Sequence, residues 1–135
     1  MAVRVELSRI LIRELNDYQL IELREVGGAR TVPIVIGLPE AQAIERRLKG
    51  IEVKRPQTHE LLASVIEELG GTLRAVTISD LDDHTFFATL SLELAGGTVK
   101  EIDSRPSDAI ALGVASDVPL YAAEHVLEEA QREDV

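Results

Sequence analysis

A chain of 135 residues, 45% hydrophobic but only 3% aromatic, suits one domain with an aliphatic core, which places Tyr18, Phe86, Phe87 and Tyr121 inside rather than on a base-stacking surface. Its 24 acidic and 14 basic residues leave a net charge of −10, which excludes a general nucleic-acid coat, although a bound cation or local basic patch can reverse the field at one site. With no cysteine, disulfides and thiolate metal sites are excluded, and the lack of a signal core or of an apolar run of roughly 20 residues points to a cytoplasmic protein without membrane contact.

Val3, Val5 and Leu7 alternate on odd positions, then Ile10 and Ile12 continue on even ones. Strand side chains repeat every two residues, so this change of phase predicts a bulge near Ser8-Arg9. Asn16-Asp17 supplies turn chemistry before a second strand over residues 18–25, giving a hairpin. After Gly27-Gly28, the unbroken run Val32-Pro33-Ile34-Val35-Ile36 suggests a strand covered on both faces. Pro33 points instead to an edge or a bulge, because it cannot donate to a ladder. Pro39 opens a helix with Ala41, Ile44 and Leu48 at helical spacing, and Gly50 ends it. Arg55-Pro56-Gln57 is a connector. Thr58 is expected to cap a second helix with a buried stripe of Leu62, Val65, Ile66 and Leu69, closed by Gly70-Gly71.

Residues 72–79 read as a strand and Asp82-Asp83-His84 as a turn. Phe86, Ala88, Leu90, Leu92 and Leu94 alternate with mostly polar neighbours, the clearest strand pattern in the chain. Gly96-Gly97 makes a tight hairpin into a strand over 98–102. A third helix starts near 104–106, and its small apolar run from Ala109 to Val114 predicts burial on several sides. A short strand over 119–122 and an amphipathic helix over 124–132 follow. Without repeats or linkers, residues 1–135 are expected to form a single α+β domain, a mixed, mostly antiparallel sheet with about four helices packed on it.

Two stretches are unlike ordinary scaffold: Arg55-Pro56-Gln57-Thr58-His59-Glu60-Leu61-Leu62, and Ile102-Asp103-Ser104-Arg105-Pro106-Ser107-Asp108-Ala109-Ile110-Ala111-Leu112. Each sets an Arg-Pro pair at a helix entrance, with a hydroxyl residue and a carboxylate in the first turn. Helix N-termini present unpaired N–H groups and hold anions. Arg55 and Arg105 add bidentate phosphate recognition, and Thr58, Ser104 and Ser107 add hydroxyls. Asp103 and Asp108 suit a divalent cation, and His59 suits acid–base work near neutral pH.

The same residues have an architectural use. Thr58 and Ser104 as caps are worth about 1 kcal/mol each. Glu60 and Asp108 complement the helix dipoles, and Asp108 can pair with Arg105 three residues earlier. The spacing is specific for no metal or nucleophile, so both uses stand. His84, in a turn, and His125, on an acidic helix, are weaker candidates. Arg46, Arg47 and Lys49 form the densest basic cluster, read more readily as a solvated helix side than as a phosphate contact.

The two stretches resemble the signature segments of the bifunctional nuclease domain family. Val32-Pro33-Ile34-Val35-Ile36-Gly37, Thr85-Phe86-Phe87-Ala88-Thr89-Leu90 and Pro119-Leu120-Tyr121-Ala122 fit the same pattern in the same order, and the likeness runs from about Val5 to Ala130. The resemblance implies a compact α+β domain that assembles as a dimer or higher homo-oligomer, with nuclease activity on DNA and RNA. Glu60 stands where the family usually has Asp, Gly113 where Ala is common, and the Gly96-Gly97 hairpin is shorter than in some members. The longer reach of Glu60 weakens the case for a metal ligand there. The partner-binding module appended in longer relatives is expected to be missing.

The leading expectation is a metal-assisted nuclease acting on DNA or RNA. Its catalytic residues are His59, Asp103 and Asp108, with Mg²⁺ or Mn²⁺ on Asp103 and Asp108. The substrate meets Arg55, Thr58, Ser104, Arg105 and Ser107. The alternative is a non-enzymatic homo-oligomeric module that binds a small anion or a partner protein, favoured by the acidic charge and the scarcity of aromatics.

Overall fold

The computed structural model describes residues 1–133. Strand β1 (Ala2–Leu11) carries the expected bulge, because its register against β2 (Gln19–Glu25) slips between Leu7 and Arg9. The slip lets Val5 before it and Ile10 after it both turn to the core. Gln19 is only 2% exposed and knits the hairpin loop. Its side chain accepts from the Arg13 N–H and donates to the carbonyls of Arg13 and Asn16, at 2.9 and 3.2 Å. A buried amide thus replaces ladder bonds that the loop cannot make.

Strand β3 (Thr31–Ile36) is an edge strand covered on one face only. Val32, Ile34 and Ile36 are buried while Pro33 and Val35 face outward. The expectation of two covered faces fails, and the Pro33 signal prevails. Helix α1 (Leu38–Lys49) has proline in its first turn and a left-handed Gly50 at its end, where the Gly50 and Ile51 N–H groups reach the Arg47 and Arg46 carbonyls. It buries Ala41, Ala43 and Ile44, whereas Leu48 stays exposed.

Helix α2 (Thr58–Glu68) departs most from expectation, because none of its residues is buried. Leu62, Val65 and the following Leu69 are 38%, 43% and 79% exposed, and only Ala63 and Ile66 pack against the core. The apolar stripe exists, but of its four residues only Ile66 is covered by the described residues. Strands β4 (Thr72–Asp82) and β5 (Thr85–Glu93) are joined by Asp83 and His84, both at positive φ, as a two-residue hairpin requires. The Gly96-Gly97 turn leads into β6 (Val99–Ser104), the other sheet edge.

Helix α3 (Pro106–Val114) is buried at every position from Pro106 to Gly113 except Asp108, in line with its small apolar composition. A Cβ added at Gly113 would stand 3.3 Å from the Val76 side chain, so the missing methyl lets α3 settle on β4. Strand β7 (Leu120–Ala123) enters between β1 and β4, antiparallel to the first and parallel to the second. Helix α4 (Glu124–Glu133) touches β3, β4 and β7, and Arg30 ties its first residue, Glu124, to Glu25 on β2. The sheet order is β3-β2-β1-β7-β4-β5-β6.

The core is wholly aliphatic. Tyr18 and Phe87 are exposed and Phe86 and Tyr121 half-buried, which corrects the expectation that the aromatics fill the interior. No helix among the described residues is long and apolar enough to cross a membrane.

Ile110, fully buried, and Leu69, largely exposed, test this division. Ile110→Ala should lower the unfolding free energy by about 2–5 kcal/mol. Leu69→Ala, from the stripe that periodicity assigns to the core, should change it by no more than about 0.5 kcal/mol in urea denaturation.

Candidate functional site

Pro106 at the first helical position makes Arg105, in extended geometry, the N-cap residue of α3. Ser104 therefore does not cap; its hydroxyl donates to the Arg105 carbonyl at 2.8 Å. Gln57 holds the equivalent place at α2, where its carbonyl accepts from the Leu61 N–H at 2.7 Å, so Thr58 is inside the helix and caps nothing. Both capping expectations fail by one residue.

The two helix entrances meet at Asp108. Arg105 donates from Nε to Oδ2 at 2.9 Å and from Nη2 to Oδ1 at 3.1 Å, and His59 Nε2 lies 2.8 Å from Oδ1. Burial pushes the Asp108 carboxyl up, but the hydrogen bonds from Arg105 and then His59 together outweigh it and hold the group below the usual aspartate range. The same carboxylate raises the Arg105 guanidinium. An ionised carboxylate only accepts, so His59 Nε2 carries a proton and Nδ1 is the acceptor nitrogen of the neutral ring.

Helix α2 is held at the same turn by a second pairing. Arg46 donates from Nε and Nη2 to the two Glu60 oxygens, at 3.0 and 3.1 Å. Arg47 stands 3.8 Å from Glu60 and donates from Nε to the Ala111 carbonyl of α3 at 2.6 Å. The Arg46 bonds, against the opposing effect of burial, hold the Glu60 carboxyl low. Arg46 and Arg47 are half-buried and join three helices, which corrects their reading as a solvated helix side.

A cavity of about 780 Å³ opens between α2, the β5–β6 hairpin and the entrances of α1 and α3. Leu62, Ile66, Leu90, Leu92 and Ile102 form its apolar floor. Leu90 and Ile102 are directly paired across strands and so share a face. Thr58, His59, Asp103, Ser104, Arg105 and Asp108 form its polar end. Six of the expected site residues are thus together. Arg55 lies apart on the exposed connector, and Ser107 turns inward to a second cavity.

Glu40, which the sequence did not single out, and Arg46, read there as part of a basic cluster, also line the first cavity. Glu40 had a signal, since Pro39-Glu40 repeats the proline-then-acid helix entrance of Pro106 and Asp108. The basic cluster marked Arg46, but its pairing with Glu60, 14 positions away, had no local signal. Among the described residues, no three His, Cys, Asp or Glu side chains gather as a ready-made metal centre. The Asp103 side chain makes no hydrogen bond or ion pair among them, and Asp108 has already accepted three hydrogen bonds.

Fold and cluster define an α+β domain with a polar site assembled from two helix entrances. The sequence pattern of the bifunctional nuclease domain matches residues 21–134, and the chain belongs to that family. An uncharacterized protein of Mycobacterium tuberculosis is 37% identical over 126 residues, covering 93% of this chain and 74% of that protein. Bifunctional nuclease 1 of Arabidopsis thaliana is 22% identical over 104 residues, 76% of this chain and 32% of the relative. Bifunctional nuclease 2 of Oryza sativa subsp. japonica is 27% identical over 112 residues, 81% of this chain and 34% of the relative. The chain therefore aligns with about a third of each plant relative.

Both Asp108 and Glu60 titrate below their ordinary ranges in the folded state. Each contributes stability that is present above its unfolded-state pKa, about 4, and lost as pH falls through the lower folded value. Denaturation midpoints should fall between about pH 5 and pH 2, and Asp108→Asn should flatten that fall while lowering stability at neutral pH.

Proposed function

We propose that this domain is a metal-assisted phosphodiesterase that cleaves nucleic acid in the cytoplasm. The observation that carries this reading is the meeting of two signature segments, 49 positions apart, in the His59–Asp108–Arg105 cluster on the wall of the larger cavity. Relatives named bifunctional nuclease support it.

Water attacks phosphorus as the bond to the leaving oxygen breaks. His59 takes the proton of that water at Nδ1, and Asp108 fixes the ring and stabilises the imidazolium that forms. Arg105 has five N–H donors and spends two on Asp108, which leaves others for the phosphate oxygens. The leaving oxygen collects its proton from the imidazolium or from solvent.

Charge decides what else is needed. Arg46 and Arg105 face three carboxylates in the cavity, Glu40, Asp103 and Asp108, and Arg46 is already paired with Glu60. A phosphate entering this surplus of negative charge requires added positive charge. Mg²⁺ or Mn²⁺ on Asp103 and the lone pair left on Asp108, completed by water and phosphate oxygens, would supply it.

Labelled single-stranded and duplex DNA and RNA, incubated with Mg²⁺, Mn²⁺ or EDTA, test the reading. Cleavage should need the metal, fall by about 10²–10⁴ in His59→Ala and vanish in the folded Asp103→Ala/Asp108→Ala double variant. Equal activity in wild type and double variant would assign the cleavage to a contaminant and remove the proposal.

A second reading is favoured by α2 and β6. Leu61, Leu62, Val65 and Leu69 beside Val99 and Ile102 leave apolar groups exposed on a helix and an edge strand. In that reading the domain is a homodimer joined through this surface, a non-enzymatic module that binds a small anion or a partner protein. Light scattering should give twice the chain mass for wild type and the single mass for Val65→Glu/Leu69→Glu. Stabilisation by inorganic phosphate without cleavage favours the module over the enzyme.

A further inference from the structure

A second cavity, of about 530 Å³, lies on the far side of Arg105. Arg105 and Glu40 line both cavities, so the two adjoin at these residues. His59 and Asp108 belong to the first cavity, while Phe86, Pro106 and Ser107 belong to the second.

Ser107 is the unusual group here. It is 5% exposed and makes no side-chain hydrogen bond among the described residues. No fully buried side-chain polar atom among those residues lacks a partner, so the Ser107 hydroxyl must open onto the space it lines. Its backbone N–H is also an unpaired first-turn donor of the nine-residue α3, directly after Pro106. Hydroxyl and N–H beside the Arg105 guanidinium make a polar end suited to an anion. Glu40 carries the opposing charge in this cavity, and it faces Arg105. The Phe86 ring with Pro33 and Pro106 gives the remainder an apolar wall.

We infer that the second cavity is the subsite for the nucleotide adjoining the scissile phosphate, so that a single strand lies across Arg105 with one nucleotide in each cavity. The inference rests on the nuclease reading and names its substrate class. The flanking phosphate sits on Ser107, and its base lies against Phe86 and Pro106. A base inside a duplex would first have to leave its stack, which favours single strands. Occupied cavities on both sides of Arg105 also favour bonds inside a chain over terminal ones.

Calorimetric binding of thymidine 5′-monophosphate and of single-stranded dT3, with Mg²⁺ in the slow-cleaving His59→Ala background, tests the subsite. The trinucleotide should bind about tenfold more tightly than the mononucleotide. Adding Ser107→Ala should remove most of that gain and leave mononucleotide affinity unchanged; Phe86→Leu should weaken the trinucleotide alone, with thermal melts confirming both folds. Equal affinity for the two ligands, or a Ser107→Ala loss shared by both, would overturn the subsite and leave the nuclease reading standing. Binding of neither ligand would overturn both.

Discussion

The site depends on how a helix with no buried residue is kept in place. Helix α2 gains little from burial, since Ala63 and Ile66 alone reach the core. Its first turn is fixed instead by charge, through Glu60 on Arg46 and Arg47 and through His59 on Asp108. Ion pairs on an open surface hold little, because water screens them and long side chains lose entropy. Arg46 and Glu60 are different, as their side chains are 15% and 20% exposed and the fork geometry uses two donors. Removing one partner would strand a half-buried charge, which costs more than the pair contributes. The Arg47 bond to the Ala111 carbonyl carries the clamp to α3, so the two helix entrances share one frame.

That frame explains why two uses of the same residues are hard to separate. The three hydrogen bonds on Asp108 join α3 to α2, and they also set the tautomer of His59 and the orientation of Arg105. Architecture and the proposed chemistry would therefore draw on one carboxylate. Glu60 reaches both Arg46 and Arg47. It supports the frame and is absent from the cavity lining.

Local patterns exposed most of the fold. The phase change at Ser8-Arg9 marked the bulge, Pro33 marked the edge strand, and the small residues of α3 marked its burial. Patterns failed where the answer depends on what lies opposite. The stripe on α2 has the periodicity of a core helix, yet periodicity reports which residues share a face and not what covers it. Proline geometry, rather than hydroxyl chemistry, placed the start of α3 at Pro106 and moved the cap from Ser104 to Arg105. His59 and Asp108 were legible as unusual residues, but their hydrogen bond spans 49 positions and no local spacing could announce it. The Arg46–Glu60 pairing was hidden in the same way, and Ser107 was grouped with neighbours that line a different cavity.

The charge of the chain sharpens the functional argument instead of opposing it. A net charge of −10 argues against binding nucleic acid over a broad surface, where affinity follows the number of phosphates neutralised. It permits the proposed recognition confined to adjoining cavities, where Arg105 would meet a single phosphate and the apolar walls would meet the bases. Under the proposed function, the carboxylates that outnumber the guanidinium groups in the larger cavity would make phosphate entry conditional on a divalent cation. An acidic protein with such a site would be quiet toward nucleic acid without metal and selective with it. A basic protein of the same fold would bind in either condition and lose that control.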